Sequence, residues 1–466
     1  MEKYQVLVIG AGPGGYEAAI RLSQYGISTA VLEKERVGGV CLNWGCIPTK
    51  TLVKTAELVD EINDSATYGL PELELKLNYR KIWERKNTIV EQLVKGIEYL
   101  YTKRKIPLLK QEATSIQKQD DGYLVQTAQG ESFFAPYIII ATGSVSKSLP
   151  GIIIDEKDIM SSSGILMMDA LPKSLAVVGG GVIGCEFASI FARFGVAVSI
   201  IEFLPRLLSL EDEEISKRIT LMLKKSGIKI MTKTGVESIE KAEGEMILKL
   251  NNESEVRAEK VLLSVGRAPS FELETQGFEL ERARRAIAID DSMQSSAPGI
   301  YAIGDVTEKL QLAHTASKQG LLAVEHIASQ ILGKVKPTTI LNYANIPRCT
   351  FTYPEIASVG LTEAEAKETY GEIIIGKFPF SASGKAMAMS ATQGFVKSIA
   401  RKDTGALVGM HIIGPQAAEL IAQGAIMISN HMTAESIEDI VFAHPTLSEA
   451  IMESIEDLRE LSIHKL

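Results

Sequence analysis

The run Val6-Leu7-Val8-Ile9-Gly10-Ala11-Gly12-Pro13-Gly14-Gly15 joins four apolar residues to a glycine-rich turn. An amphipathic stretch follows to about Tyr25, then a second apolar run, Thr29–Leu32, that ends at Glu33. Strand, glycine turn, helix, strand and acid in that order are the parts of a dinucleotide-binding unit. In G-x-G-x-x-G, Gly10 permits the tight turn and Gly12 removes a side chain that would block a pyrophosphate. Gly15 lets helix and sheet approach closely. The helix N-terminus attracts phosphate charge, and the terminal carboxylate accepts hydrogen bonds from a ribose. Taken alone, an ordinary glycine turn explains the pattern as well.

The chain repeats the pattern 169 positions on, which changes that weighing. Ser174-Leu175-Ala176-Val177-Val178 runs into Gly179-Gly180-Gly181-Val182-Ile183-Gly184, a helical stretch reaches Phe194, and Ala197–Ile201 ends at Glu202. In both units the acid lies eighteen residues beyond the last glycine. Two patterns in full context predict that one chain binds two dinucleotides and passes electrons between them. Glu202 would repel a 2'-phosphate and so disfavours NADP, although Arg206, four residues on, leaves that preference open.

Composition sets the frame around these units. The 466 residues carry 49 Lys plus Arg against 58 Asp plus Glu, a net charge of -9. At roughly 100–200 residues per domain, that length favours about three domains. With 45% hydrophobic and 23% charged residues the chain is compact rather than disordered. The acidic balance gives no broad reason to bind nucleic acid. No uncharged run is long enough for a membrane span, and no basic-then-apolar leader is visible; these features predict a cytoplasmic protein. Four cysteines are too few for a disulfide scaffold.

Two of those cysteines, Cys41 and Cys46, sit five positions apart just beyond Glu33. A disulfide needs Cα atoms about 4.4–6.8 Å apart, whereas five residues of ideal helix advance about 7.5 Å. If the two bond, the chain between them leaves regular helix, and Asn43 and Gly45 make such a turn cheap. A structural zinc would need two further ligands, and only the isolated Cys185 and Cys349 remain. Inert buried cysteines are the other alternative. The neighbouring dinucleotide loop favours a redox disulfide, in which one accessible thiolate attacks substrate and its partner resolves the mixed disulfide. Lys50 could favour a nearby thiolate or be a solvated surface lysine. Of six histidines, His444 stands in the most suggestive arrangement, His444-Pro445-Thr446-Leu447-Ser448-Glu449, where Glu449 could orient one ring nitrogen. A core histidine explains it equally. His314 is expected at a helix start and His411 within a strand.

With these motifs assembled, the sequence resembles the pyridine nucleotide–disulfide oxidoreductases over essentially its whole length. The resemblance rests on Gly10–Gly15, Gly38–Lys50, Ala141–Ser144, Gly179–Ala188, Val265–Pro269, Ala302–Val306 and Phe442–Ala450. Gly409–Pro415, Glu419 and His444–Ala450 look like the branch that oxidises dihydrolipoyl groups. The fold class it implies is mixed α/β and α+β, with two Rossmann-like dinucleotide-binding domains and a C-terminal α+β dimerisation domain. The implied division is 1–148 for FAD, 149–272 for NAD, 273–346 as a central domain completing the FAD site, and 347–466 for dimerisation.

The resemblance also implies residue roles. Gly10, Gly12, Gly14 and Gly15 would approach the FAD pyrophosphate, Glu33 its ribose, and Thr142, Gly143, Asp305 and Ala313 would complete the flavin site. Gly179, Gly181, Gly184, Glu202 and Gly266 would serve NAD. Lys50 would lie near the flavin and pair with Glu186 beside the nicotinamide path. Cys41 would exchange with the lipoyl group, Cys46 would face the flavin, and the Cys41–Cys46 disulfide would be the electron relay. His444, oriented by Glu449, would reach the active site of the other subunit of a homodimer as its acid–base. Implied partners are lipoyl domains of 2-oxo acid dehydrogenase complexes and sometimes the lipoyl protein of glycine cleavage. The chain begins almost directly with the first unit, so the lipoyl group is expected free or on another protein.

Val40, Thr49 and Ser270 depart from commoner Thr, Ser and Asn without removing an implied catalytic group. Within the family, a mercuric reductase is expected to carry a C-terminal cysteine pair, and none follows Cys349. Glutathione and trypanothione reductases favour NADPH, against Glu202. A non-catalytic dinucleotide-binding scaffold is the alternative from another class.

Overall fold

Val6–Ile9 is buried at all four positions because it lies at the centre of a sheet covered on both faces. The computed structural model, which describes residues 2–72, 74–333 and 340–465, orders that sheet Ile300–Ala302, Tyr137–Ile140, Val6–Ile9, Thr29–Leu32 and Leu108–Leu109, all parallel. Strand Ile300–Ala302 therefore finishes a sheet begun at the N-terminus. Helices Pro13–Gln24 and Ala313–Leu332 pack so closely that small residues are obligatory. A Cβ on Gly14 would stand 2.7 Å from Ala316 O, and one on Gly320 2.7 Å from Gly14 O.

The second unit repeats the plan, with Ser174–Val178 central between Lys260–Leu263 and Ala197–Ile201 in a five-stranded parallel sheet. In both sheets the glycine turn leaves the carboxyl end of the central strand, where the strand order reverses and ligands of such sheets bind. The chain crosses between the units twice, and the crossings pair as an antiparallel ribbon, Ser144–Ser146 against Arg267–Pro269. A five-stranded antiparallel sheet, Arg348–Thr350, Glu355–Gly360, Leu407–Gly414, Phe395–Arg401 and Ile373–Pro379 in spatial order, forms the C-terminal unit. Helices Ala417–Ser429 and Glu449–Glu456 pack on it.

Local sequence sets the element ends. The apolar run Glu131–Ile140 divides into Ser132–Ala135 and Tyr137–Ile140, because Pro136 between them has no N–H for a ladder. A long helix spans Tyr79–Arg104, starting where Asn78 accepts from Lys81 N at 3.1 Å. Residues 334–339 of the central domain expected at 273–346 lie outside the described residues. No described helix is long and apolar enough to cross a membrane.

His411 lies within strand Leu407–Gly414 and is fully buried; its Nε2 is 3.0 Å from Leu361 O, so that nitrogen carries the proton. Its Nδ1 has no partner among the described residues. Burial lowers its pKa, so the folded protein holds it neutral. The unfolded chain takes up this proton near about pH 6.5 and the folded chain does not, so stability falls as pH drops below that value. Burial acts in the opposite sense on Asp212, Glu214 and Glu363, but cationic partners outweigh it and hold all three carboxyls low. Their contribution is present above about pH 4 and is lost in more acid solution. We expect the unfolding temperature, measured from pH 8 to 2, to decline in two stages, and His411→Gln to remove the first.

Candidate active site between the two dinucleotide units

The two glycine turns are built alike to the level of single hydrogen bonds. Gly10 and Gly179 take φ of 103° and 105°, and a Cβ on Gly15 or Gly184 would stand 2.0 Å from the carbonyl oxygen of Gly10 or Gly179. Glu33 accepts from Ala11 N at 2.7 Å and Glu35 N at 2.8 Å; Glu202 accepts from Gly180 N and, at 2.6 Å, from Leu204 N. Gly12 and Gly181 differ from the other motif glycines, since nothing lies within 4 Å of a Cβ placed on either. Each thus faces open space at a helix N-terminus, the arrangement a pyrophosphate requires. A cavity of about 190 Å³ lined by Glu33, Val37, Val94 and Leu108 opens beside the first carboxylate.

Between the units stands the cysteine pair. Helix Gly39–Trp44 stops at Gly45 (φ −142°, ψ −108°) and helix Cys46–Asn63 begins at once. A Cβ on Gly45 would approach Val40 O to 2.9 Å, so glycine makes the break possible. Asn43 does not form the turn. Its buried Nδ2 instead donates to Val37 O at 3.0 Å and Gly39 O at 2.9 Å, pinning the short helix. Thr49 Oγ1 donates to Gly45 O at 2.6 Å, a bond that a serine hydroxyl can also make. The break brings the two thiols into hydrogen-bonding contact.

Their acidities diverge. The bond from Cys41 and then the charge of Lys50 pull Cys46 down to about 7, against burial and Glu186. The same bond and burial push Cys41 up. The dithiol therefore yields a thiolate at Cys46 with the proton kept on Cys41. Lys50 Nζ lies 3.1 and 3.0 Å from the two Glu186 oxygens and 4.2 Å from the Phe351 ring centroid. Glu186, on helix Val182–Arg193 just past the second glycine turn, also accepts from Phe351 N at 2.9 Å.

The remaining candidates fall into two groups. Thr142 Oγ1 donates to Ser270 O, and Ser270 N donates to Gly143 O at 2.9 Å. Position 270 thus acts there through its backbone. Asp305 accepts from Ser144 Oγ, and Ser144 is held by Arg267 through Nε at 2.7 Å and Nη2 at 2.6 Å. Gly266 before that arginine has φ of 106°, and Ala313 begins the helix following Asp305. His444 is apart from this cluster. It is 79% exposed, its Nδ1 lies 2.8 Å from Glu449 Oε1, and Nε2 has no hydrogen bond among the described residues. Burial acts against the ionised Glu449, but Thr446 N and His444 hold its carboxyl below the usual value.

Arg267 and Phe351 were not singled out from sequence. Arg267 stood inside a recognised stretch; Phe351 gives no local signal, because its contacts come from distant elements. The ligands a zinc would need do not converge: Cys185 Sγ donates to Gly180 O at 3.3 Å, and burial raises the Cys349 thiol to about 12. Among the described residues no group of three possible ligands forms.

Comparison with known proteins agrees over nearly the full length. Residues 4–320 match the model of the pyridine nucleotide-disulphide oxidoreductase family, and residues 346–455 match that of its dimerisation domain. A dihydrolipoyl dehydrogenase of Bacillus subtilis is 39% identical over 97% of both chains, and one of Chlamydia pneumoniae is 38% identical over 96% of this chain and 95% of its own. Among solved structures, the flavoprotein disulfide reductase RclA of Escherichia coli superposes with a TM-score of 0.86 at 26% identity, over 97% of this chain and 99% of its own. LpdA of Mycobacterium tuberculosis shares the fold, with a TM-score of 0.88 at 24% identity over 98% of this chain and 100% of its own.

Lys50 and Glu186 act on Cys46 with opposite sign, so their substitutions separate. Lys50→Met should raise the pH midpoint for iodoacetamide alkylation of Cys46 in the reduced protein, and Glu186→Gln should lower it. Mass-resolved alkylation rates across pH 5–10 check both; shifts in the same direction would contradict the assigned electrostatics.

Proposed function

The chain belongs to the pyridine nucleotide-disulphide oxidoreductase family, and we propose that it acts as a dihydrolipoyl dehydrogenase. It oxidises dihydrolipoyl groups to the cyclic disulfide and passes the electrons through Cys41, Cys46 and FAD to NAD⁺. The carrying observation is the thiol pair whose Cys46 is acidified beside Lys50, with Lys50 joined to Glu186 on the second dinucleotide unit.

The residues present fit both cofactors. Gly10, Gly12, Gly15 and Glu33 would hold FAD with Thr142, Gly143, Asp305 and Ala313, while Gly14 packs the helix pair behind them. Gly179, Gly181, Gly184, Glu202 and Gly266 would hold NAD. Bound FAD supplies the hydride chemistry.

The chain's own part is thiol exchange and proton placement. With Cys41 and Cys46 joined, a dihydrolipoyl thiolate attacks Cys41 Sγ, forming a mixed disulfide and releasing Cys46 as thiolate. The second substrate thiolate then attacks the substrate sulfur of that mixed disulfide, closing the lipoyl ring and releasing Cys41. Electrons lost by the two substrate thiols now reside on the reduced cysteines. His444 takes the substrate proton, with Glu449 bonded to Nδ1 and so directing Nε2 to the proton. Lys50 neutralises the charge gathered at Cys46.

His444 of one subunit serves the cysteines of its partner in a homodimer. Its exposure supports that reading, as does the exposed apolar pair Ile440 (41%) and Val441 (94%) just before it. Substrates are lipoyl groups on domains of 2-oxo acid dehydrogenase complexes or of glycine cleavage, in the cytoplasm.

Turnover of dihydrolipoamide with NAD⁺ should exceed reduction of glutathione disulfide with NADPH under matched conditions; the reverse order overturns the substrate assignment. His444→Gln should slow dihydrolipoamide turnover by about 10²–10⁴-fold while the protein keeps its flavin. Gly12→Ala and Gly181→Ala should both fold, because each new methyl meets open space. The first should lose FAD, and the second should keep FAD and lose NAD⁺, as flavin absorbance and NAD⁺ titration would record.

A further inference from the structure

Where the C-terminal sheet meets the second dinucleotide unit lies a row of charge that the reaction above does not use. Lys377, Lys397, His411, Ser358 and Arg348 stand directly opposite one another across all five strands. Directly opposed residues share one face of a sheet. Three acids from the head of helix Glu213–Lys225 and the residues before it meet this row. Lys397, 1% exposed, places Nζ 3.0 Å from Asp212 Oδ1, 3.1 Å from Glu214 Oε2 and 2.7 Å from Glu363 Oε2. Lys377 reaches Glu214 at 2.9 Å, and Arg348 faces Glu211 at 3.8 Å.

From Asp212 a continuous set of contacts leads to the second glycine turn. Asp212 caps helix Glu213–Lys225 by accepting from Glu214 N at 3.1 Å, and it also accepts from Glu363 N at 3.1 Å. Within that helix Ser216 Oγ, fully buried, donates to Leu207 O at 2.6 Å. The adjacent Leu208 N donates to Gly180 O at 2.9 Å, and Leu207 Cδ2 lies 2.3 Å from the place a Cβ on Gly180 would occupy. Leu208 is buried in the left-handed region, φ 46°, which a branched side chain adopts only when its surroundings impose it. The loop from Phe203 to Leu210, which starts at the ribose-directed Glu202, is thus pressed onto the turn from outside.

We propose that Lys397 is a positioning residue for NAD⁺: through Asp212 and the helix it caps, it holds the 203–210 loop in the conformation that completes the adenosine end of the Gly179–Gly184 site. The proposal rests on reading that turn as the NAD site. Without the ammonium, Glu214 and Glu363 keep Lys377 and Lys367, but buried Asp212 loses the cation that ties it to the sheet and stands beside both carboxylates, an arrangement that drives the helix head away from the sheet. Leu208 then loses the support for its left-handed backbone, and the loop leaves Gly180. The cysteines and the first dinucleotide unit lie outside this path.

The test uses flavin-loaded Lys397→Met and Ser216→Ala, the second removing only one buried hydroxyl so that folding is kept. NAD⁺ affinity by titration, KM for NAD⁺ and dihydrolipoamide, kcat, and flavin reduction by dihydrolipoamide alone are compared with wild type. We expect Lys397→Met to raise Kd and KM for NAD⁺ at least tenfold and Ser216→Ala about threefold. KM for dihydrolipoamide, kcat at saturating NAD⁺ and the NAD⁺-free flavin reduction should stay within twofold. NAD⁺ affinity within twofold of wild type in Ser216→Ala overturns the proposal, as does a parallel rise in both KM values. A wild-type protein that binds no NAD⁺ overturns the cofactor reading itself.

Discussion

Everything about the site follows from one ion pair, Lys50 with Glu186. Lys50 belongs to the helix that begins at Cys46, and Glu186 to the helix that begins at the second glycine turn. Glu186 is buried, and an ionised carboxylate in that position is costly unless matched. Lys50 supplies the match with both oxygens bonded, and Phe351 N supplies a further donor. The pair therefore fixes the distance between the reactive cysteine and the second dinucleotide unit. It also leaves the charge of Lys50 acting on Cys46, whose pKa it lowers. One contact thus ties the two units together beside the cysteines and adds to the acidity that the bond from Cys41 gives Cys46.

The internal repeat explains why two such units can face each other at all. Each closes on its own glycine turn by the same bonds, a carboxylate accepting from the backbone of the turn's second residue and from the residue two past itself. The units differ in what completes them. The first borrows Ile300–Ala302 and the helix Ala313–Leu332 from beyond the second, so the second is an insertion into the first. An insertion is tied at both ends by the ribbon of Ser144–Ser146 with Arg267–Pro269. Arg267 uses that ribbon to clamp Ser144, and through it Asp305, so the crossing that connects the units also orders a carboxylate beside the first unit's sheet.

Features with a local cause were legible in the sequence. Glycine turns, the acids after them and the apolar strands announce themselves within about thirty residues, and the structure puts each where the spacing implied. The C-x₄-C pair was legible as a departure from helix, and Gly45 is where the helix breaks; the sequence offered Asn43 as an equal candidate because its two backbone acceptors could not be foreseen. What stayed hidden is made by residues far apart in the chain. Phe351 against Lys50, Arg267 against Ser144 and Asp305, and the row from Lys377 to Arg348 each depend on strand register or unit docking. No periodicity within one segment encodes these.

Those hidden residues share a chemistry, and the reason is physical. Apolar contact already draws the units together: Leu52, Val53 and Ala56 of the cysteine helix lie in one core cluster with Phe187, Phe191 and, from the C-terminal sheet, Ile356 and Phe395. Such contact is non-directional and tolerates sliding by an ångström. Thiol exchange and hydride passage do not tolerate it. The joints that carry direction are polar and largely buried: Lys50 with Glu186, Arg267 with Ser144, and Lys397 with its three carboxylates. Each would cost stability if one partner were missing, and each has a single satisfied geometry. The apolar core thus makes the units associate, and the three polar joints select the one register in which the cysteines, both glycine turns and Glu186 converge.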